Sequence, residues 1–151
     1  MQEVYYLFGN YATAIEKSNA AKPYFDNCVS SLPTVLHNLY DSLAQLAIYA
    51  TATSPQRQQI LKRIKANQKQ LKKWGHYAPM NYQHKFLLVE AERYRVLGQK
   101  LEAIDYYDRA ILLAKENQFL NEEALANELA AKFYLDWGKE KVAQAYMQAA
   151  Y

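Results

Sequence analysis

The chain has a single cysteine, Cys28, so no disulfide can form within it, and this suits a reducing compartment such as the cytoplasm. Glycine and proline number only four each and fall between periodic segments rather than inside them, which excludes a many-turned β fold. No apolar run approaches the roughly eighteen residues that a membrane span needs. Met1 to Phe8 lacks the basic region, apolar stretch and small-residue cleavage site of an export signal. One stretch lacks a whole charge sign: no acid occurs between Asp41 and Glu90, where Arg57, Lys62, Arg63, Lys65, Lys69, Lys72, Lys73 and Lys85 all lie.

What is present is a hydrophobic chain of 151 residues, 51% apolar and 22% charged, too apolar for a disordered tail and long enough to bury a core as one domain. Turn signals recur at Gly9-Asn10, Ser30 to Pro33, Thr53 to Pro55, Gly75 to Pro79, Gly98-Gln99, Asn117 to Asn121 and Gly138-Lys139. Ser54 before Pro55 reads as a cap before a first-turn proline, and Asn121 before Glu122 and Glu123 as a cap followed by acids. These signals predict seven long helices, over 10–28, 33–52, 55–74, 81–97, 100–116, 121–137 and 139 to the end, after a short one at 2–8.

The helices repeat. Five, nine and twelve residues after Gly98 stand Ala103, Tyr107 and Ala110; the same steps from Gly138 reach Ala143, Met147 and Ala150, and from Gly9 reach Ala14, Ser18 and Ala21. Ala91 and Tyr94 precede Gly98 as Ala131 and Tyr134 precede Gly138; Tyr40, Leu43, Ala44 and Ala47 form a looser copy. Small residues let antiparallel helices approach, the aromatic fills the space one turn on, and glycine permits the tight turn.

This register, clearest from Val96-Leu97-Gly98 through Asp108-Arg109-Ala110, resembles the tetratricopeptide repeat. The resemblance implies an all-α fold of antiparallel helix pairs, roughly 1–29, 33–75, 81–117 and 121–151, stacked as a right-handed superhelix in a single domain cut from a longer array. Lys100 and Glu140 stand where that motif usually has an aromatic, and the copies are more widely spaced than the usual repeat. The segments 78–85, 122–131 and 141–147 resemble, more narrowly, a helical region of large cyanobacterial signalling kinases, between an AAA-type ATPase segment and a GAF plus histidine-kinase module. A chain limited to that region has none of the catalytic parts, so neither ATP hydrolysis nor phosphate transfer is expected, and no cofactor.

The polar residues point the same way. His37, His76 and His84 share no one-face spacing with acids or cysteine that would make a metal site, although His37 and Asp41 lie one helical turn apart. Cys28 has no neighbouring base or cation to activate it and reads as a small core residue. Gly138-Lys139 lacks the glycine-rich lead-in of a phosphate loop. Glu90, Glu92, Glu102, Asp105 and Asp108 interleave with Arg93, Arg95 and Arg109 as ion-paired solvent faces. Of 14 tyrosines, those at repeat positions fill the core, while Tyr5, Tyr6, Tyr106 and Tyr146 are candidates for contact surface.

Two surfaces are candidates for a partner. By resemblance to tetratricopeptide arrays, the first helix of each pair lines a concave groove for a protein or peptide segment, through Asn38, Asp41, Gln45 and Tyr49, then Lys85, Leu88, Glu92 and Arg95, then Leu125, Glu128, Lys132 and Leu135. The alternative is the helix over 57–73, where Ile60, Ile64, Leu71 and Trp74 share one stripe and Lys62, Lys65, Lys69 and Lys72 another. It suits an acidic protein segment, an anionic surface or nucleic acid. No aromatics interleave with the lysines for base stacking and the net charge is only +3, which disfavours nucleic acid. A purely architectural spacer is the remaining alternative, and the apolar residues Tyr146 to Tyr151 lead to an expectation of self-association through an open C-terminal end.

Overall fold

The computed structural model describes residues 2–26 and 31–151, and every regular element among them is helical. In chain order these are α1 (Gln2–Leu7), α2 (Tyr11–Phe25), α3 (Leu32–Ala47), α4 (Ser54–Gly75), α5 (Pro79–Val96), α6 (Lys100–Glu116), α7 (Leu120–Asp136) and α8 (Glu140–Ala150), with one 3-10 turn at Tyr49–Thr51. Cys28, Ser30 and the expected end of the first long helix near 28 lie outside the described residues. The helices gather into two compact units, Met1–Tyr77 and Ala78–Tyr151.

Most boundaries shift by one or two residues from those expected, as α5 does by beginning at Pro79, and three differences are informative. The helix expected over 33–52 ends at Ala47, and a 3-10 turn follows. Arg57 anchors that turn: its guanidinium donates to the carbonyls of Tyr49 at 3.0 Å and Ala50 at 2.9 Å and lies over the Tyr49 ring. The cap of α4 is Thr53 rather than Ser54. Thr53 accepts from Gln56 N while the Gln56 side chain accepts from Thr53 N, so both orphan amides are satisfied reciprocally. Helix α7 begins at Leu120, one residue before the expected Asn121 cap, and has no side-chain cap.

In the unit Ala78–Tyr151, α5 packs on α6, α6 on α7 and α7 on α8. The turns at Gly98, Gln118 and Gly138 share one geometry: φ near +75°, +62° and +78°, with two backbone bonds closing back onto the preceding helix. This is the Schellman pattern, and it satisfies carbonyls at each helix end. The repeat positions Ala91, Ala103, Tyr107, Ala110, Ala131 and Ala143 are buried at these contacts. In the unit Met1–Tyr77 the same turn at Gly9 joins α1 to α2, while α3 packs on α1, α2 and α4 around Val35, Leu39, Leu43, Leu46, Ile60, Ile64 and Leu71. Tyr6 closes this core against Tyr11 and Tyr40.

Candidate functional site

In the unit Met1–Tyr77, Gln2 ties α1 to α3. Its Nε2 donates to the His37 carbonyl at 2.8 Å, which leaves its Oε1, 2.9 Å from His37 Nδ1, as the acceptor of that pair. The Nδ1 of His37 therefore carries the proton and Nε2 is an acceptor. Burial holds the imidazole below its usual pKa against the opposing pull of Asp41, with Arg63 and Lys22 lowering it further, so the ring is neutral near pH 7. Phe25 stacks on it, with ring centroids 4.6 Å apart.

The Phe25–His37 stack borders two hollows. One, of about 600 Å³, is mainly apolar and is lined by Ala20, Ala21, Tyr24, Leu32, Pro33 and Leu36 besides the stacked pair; Tyr24 and Leu32 stand exposed at its rim. The other, of about 230 Å³, is more polar and lies among Lys22, Asn38, Asn67, Gln70 and Trp74. Asn38 gives its amide N–H to the Asn67 carbonyl, and its buried Oδ1 has no hydrogen-bond partner.

Below the second hollow lies a saturated network. The buried Asp41 carboxylate accepts from Ser18 Oγ at 2.5 Å, from Arg63 through Nε at 2.8 Å and Nη2 at 2.5 Å, and from Asn67 Nδ2 at 2.8 Å. It thus ties α3 to α4 through a fork-shaped ion pair and α2 to both through the Ser18 hydroxyl. His37 and Asp41 do not bond each other; each is engaged elsewhere.

In the unit Ala78–Tyr151, Lys85 is 1% exposed and places its ammonium 3.0 Å from Glu122, 3.1 Å from His84 Nε2 and over the Phe119 ring. Burial lowers the pKa of both Lys85 and His84. Burial would raise Glu122, but the His84 contact and the charge and hydrogen bond of Lys85 outweigh it and hold it at about 2. Glu92 in the same unit bonds Arg95 and accepts from Tyr107 Oη at 3.2 Å.

The positions assigned to an open groove are therefore divided. Asn38, Asp41, Gln45, Lys85, Leu88, Glu92 and Leu125 are buried, and the expectation that they face outward is not met for these seven. Helical phase and the resemblance to tetratricopeptide arrays put them on an open concave face; α3, α5 and α7 each have neighbours on more than one side. Tyr49 lies under Arg57, Arg95 bonds Glu92, and Glu128 pairs with Lys132 at 3.1 Å. Leu135 is exposed. Within neither unit do these residues form one open surface. Of the surplus tyrosines, Tyr6 is buried, Tyr106 lies against Tyr94, and Tyr146 donates to Asp108 at 2.5 Å while stacking on Tyr134. On α4, Lys62, Lys65, Lys69 and Lys72 are all exposed, as the stripe predicts.

The hollows beside His37 escaped the sequence reading. Gln2 sits in a helix of six residues with no periodic pattern to mark it, and Phe25 adjoins the end of α2. The sequence does single out His37, Asn38 and Trp74, but for a pairing with Asp41, a concave groove and an apolar stripe rather than for these hollows.

Among the described residues no group of three or more histidines, cysteines or acids is placed to hold a metal ion, and no helix is long and apolar enough to cross a membrane. Comparison with protein-family models, with curated proteins and with solved structures returns no match.

Proposed function

We propose that this chain is a non-catalytic protein-binding module of tetratricopeptide-like character, and that it receives a partner segment in the groove beside His37. The observation that carries this reading is the apolar hollow of about 600 Å³ with Tyr24 and Leu32 exposed at its rim. Exposed aromatic and aliphatic side chains around a concavity favour burial of a partner's apolar anchor. The polar hollow across the Phe25–His37 stack offers backbone or side-chain hydrogen bonds beside that anchor. The pairwise stacking of short helix hairpins around small residues supports a right-handed superhelical array, and the resemblance in 78–85, 122–131 and 141–147 supports a place in a cytoplasmic signalling kinase.

The test is to fill the hollow. Ala20 is exposed and lines it, so Ala20→Trp adds bulk there without removing a core contact. Peptides selected from a phage-displayed random library on the native chain should lose binding by at least about tenfold on the Trp variant, since about 1.4 kcal/mol is tenfold in affinity. Selected peptides that bind both proteins equally, with helicity unchanged, would remove the groove from the function.

A further inference from the structure

Helix α4 departs from the way α2, α5, α6 and α7 handle charge. Helix α2 pairs Lys22 with Asp26 at 2.7 Å, α5 pairs Arg93 with Glu90 and Arg95 with Glu92, α6 pairs Arg109 with Asp105, and α7 pairs Lys132 with Glu128. Helix α4 holds no acid at all. Two of its cations are used internally, Arg63 on Asp41 and Arg57 on the carbonyls that end the preceding helical turns. Lys62, Lys65, Lys69, Lys72 and Lys73 are exposed and make no ion pair, hydrogen bond or ring contact.

This arrangement costs stability. Lysines 62 and 65, 65 and 69, 69 and 72, and 69 and 73 are one turn apart, and like charges at that spacing destabilise a helix by a few tenths of a kcal/mol per pair. The helix dipole offsets this only for Lys72 and Lys73 in the last turn. The remaining polar positions are filled with neutral Gln and Asn, so no anion of the same helix relieves the repulsion. An external anion would.

We propose that the lysine face of α4 is a docking surface for an acidic α-helical segment of a partner protein. The ridge through Lys62, Lys65, Lys69 and Lys72 is straight and about 15 Å long at 1.5 Å per residue. Its alternating three-and-four spacing is that of carboxylates along one face of a second helix, so each ammonium can meet one acid. Lysine presents point charges rather than the flat forks that favour phosphate pairs, and no aromatic side chain of the ridge offers a base a surface to stack on. An apolar residue to insert into lipid is also absent from the ridge. This surface is separate from the groove beside His37, so either can fail without the other.

The test uses the full chain and a fluorescein-labelled, alanine-based helical peptide carrying glutamates at the three-and-four spacing, followed by anisotropy at low salt. Exchanging the four ridge lysines, K62Q/K65Q/K69Q/K72Q, should weaken binding about thirtyfold, from about 0.5 kcal/mol per exposed ion pair and tenfold per 1.4 kcal/mol. Glutamine is as good a helix former as lysine, so the far-ultraviolet spectrum should not change. The exposed Lys141→Gln on α8 should leave affinity as it was. Equal binding by the quadruple variant, an equal loss in K141Q, equal affinity for a scrambled peptide of the same composition, or tighter binding of single-stranded RNA or of phosphatidylserine-containing vesicles would each overturn the proposal.

Discussion

The two units of the chain solve the same packing problem differently. In Ala78–Tyr151 the helices begin at Lys100, Leu120 and Glu140, and the left-handed residues stand at 98, 118 and 138, so one turn geometry recurs at equal intervals. Among the described residues of Met1–Tyr77 only the Gly9 turn follows that rule; a 3-10 turn stands between α3 and α4, and α4 runs for 22 residues. Charge divides the same way, nine bases against four acids in the first unit and nine against eleven in the second. Where local turns are uniform, they suffice to set how successive helices meet. Where they are not, a long-range polar network around Asp41 holds α2, α3 and α4 in place, and the imperfect fit leaves hollows along its edge. Regular turns and the hollows proposed for recognition thus sit at opposite ends of the sequence.

The sharpest way to break this contrast is Asp41→Ala. It strips Arg63 of its carboxylate and takes the acceptor from the Ser18 hydroxyl and from one Asn67 N–H, the other keeping Ser42 Oγ, a loss of about 3 kcal/mol. Hydrogen exchange in α2, α3 and α4 should accelerate accordingly. Unchanged exchange in these three helices would show that apolar packing alone specifies the irregular unit.

The regular unit has its own buried charge, and it predicts acid sensitivity. Native His84 stays neutral below its ordinary pKa, whereas the unfolded chain takes up the proton near 6.5, so stability falls as pH drops below 6.5 until the folded site is itself protonated. Glu122 is ionised down to about 2 when folded and to 4.5 when not, so the stability it contributes above 4.5 is lost progressively from 4.5 to 2. Lys85, lowered by burial, acts at the other end: stability rises as pH climbs through its folded pKa towards 10.5. Thermal melts should therefore fall in two acid steps. Glu122→Gln should remove the lower step and cost about 2 kcal/mol at neutral pH by leaving the Lys85 ammonium without its anion. A variant that keeps both steps would place the titration elsewhere.

Much of the scaffold was legible because its signals are local. The glycines at 9, 98 and 138 mark real turns, the steps of five and nine from Gly98 land on the buried Ala103 and Tyr107, and helix α6 spans the predicted 100–116. The groove was not legible, because its elements come from three helices distant in sequence and its key contact, Gln2 to His37, joins residues 35 apart. The outward face assigned to Asn38, Asp41, Lys85 and Glu92 failed for a related reason. A charged residue reads as solvent-facing unless its buried counter-ion is known, and Arg63 for Asp41 or Glu122 for Lys85 cannot be paired from spacing alone. The lysine stripe was legible, since exposure opposite an apolar stripe follows from helical phase.

The smallest effect concerns the turns that make the second unit regular. At Gly98 a built Cβ meets nothing within 4 Å, so Gly98→Ala introduces no clash, and its cost is the left-handed backbone alone, about 1 kcal/mol. Gln118 occupies the same conformation at φ +62° with a side chain, and its two closing bonds match those at Gly98, from Gln118 N to the Lys115 carbonyl and from Phe119 N to the Ala114 carbonyl. Glycine in its place keeps both bonds, since they use only the backbone, and removes the conformational penalty. Gln118→Gly should therefore stabilise the chain by up to about 1 kcal/mol, reduced by the greater freedom of glycine when unfolded. The double variant Gly98→Ala, Gln118→Gly should come close to the native melting temperature if the turns are energetically equivalent. A gain at 118 much smaller than the loss at 98 would show that the Gln118 side chain contributes something the glycine turns do not, and that the three turns share a shape without sharing an energy.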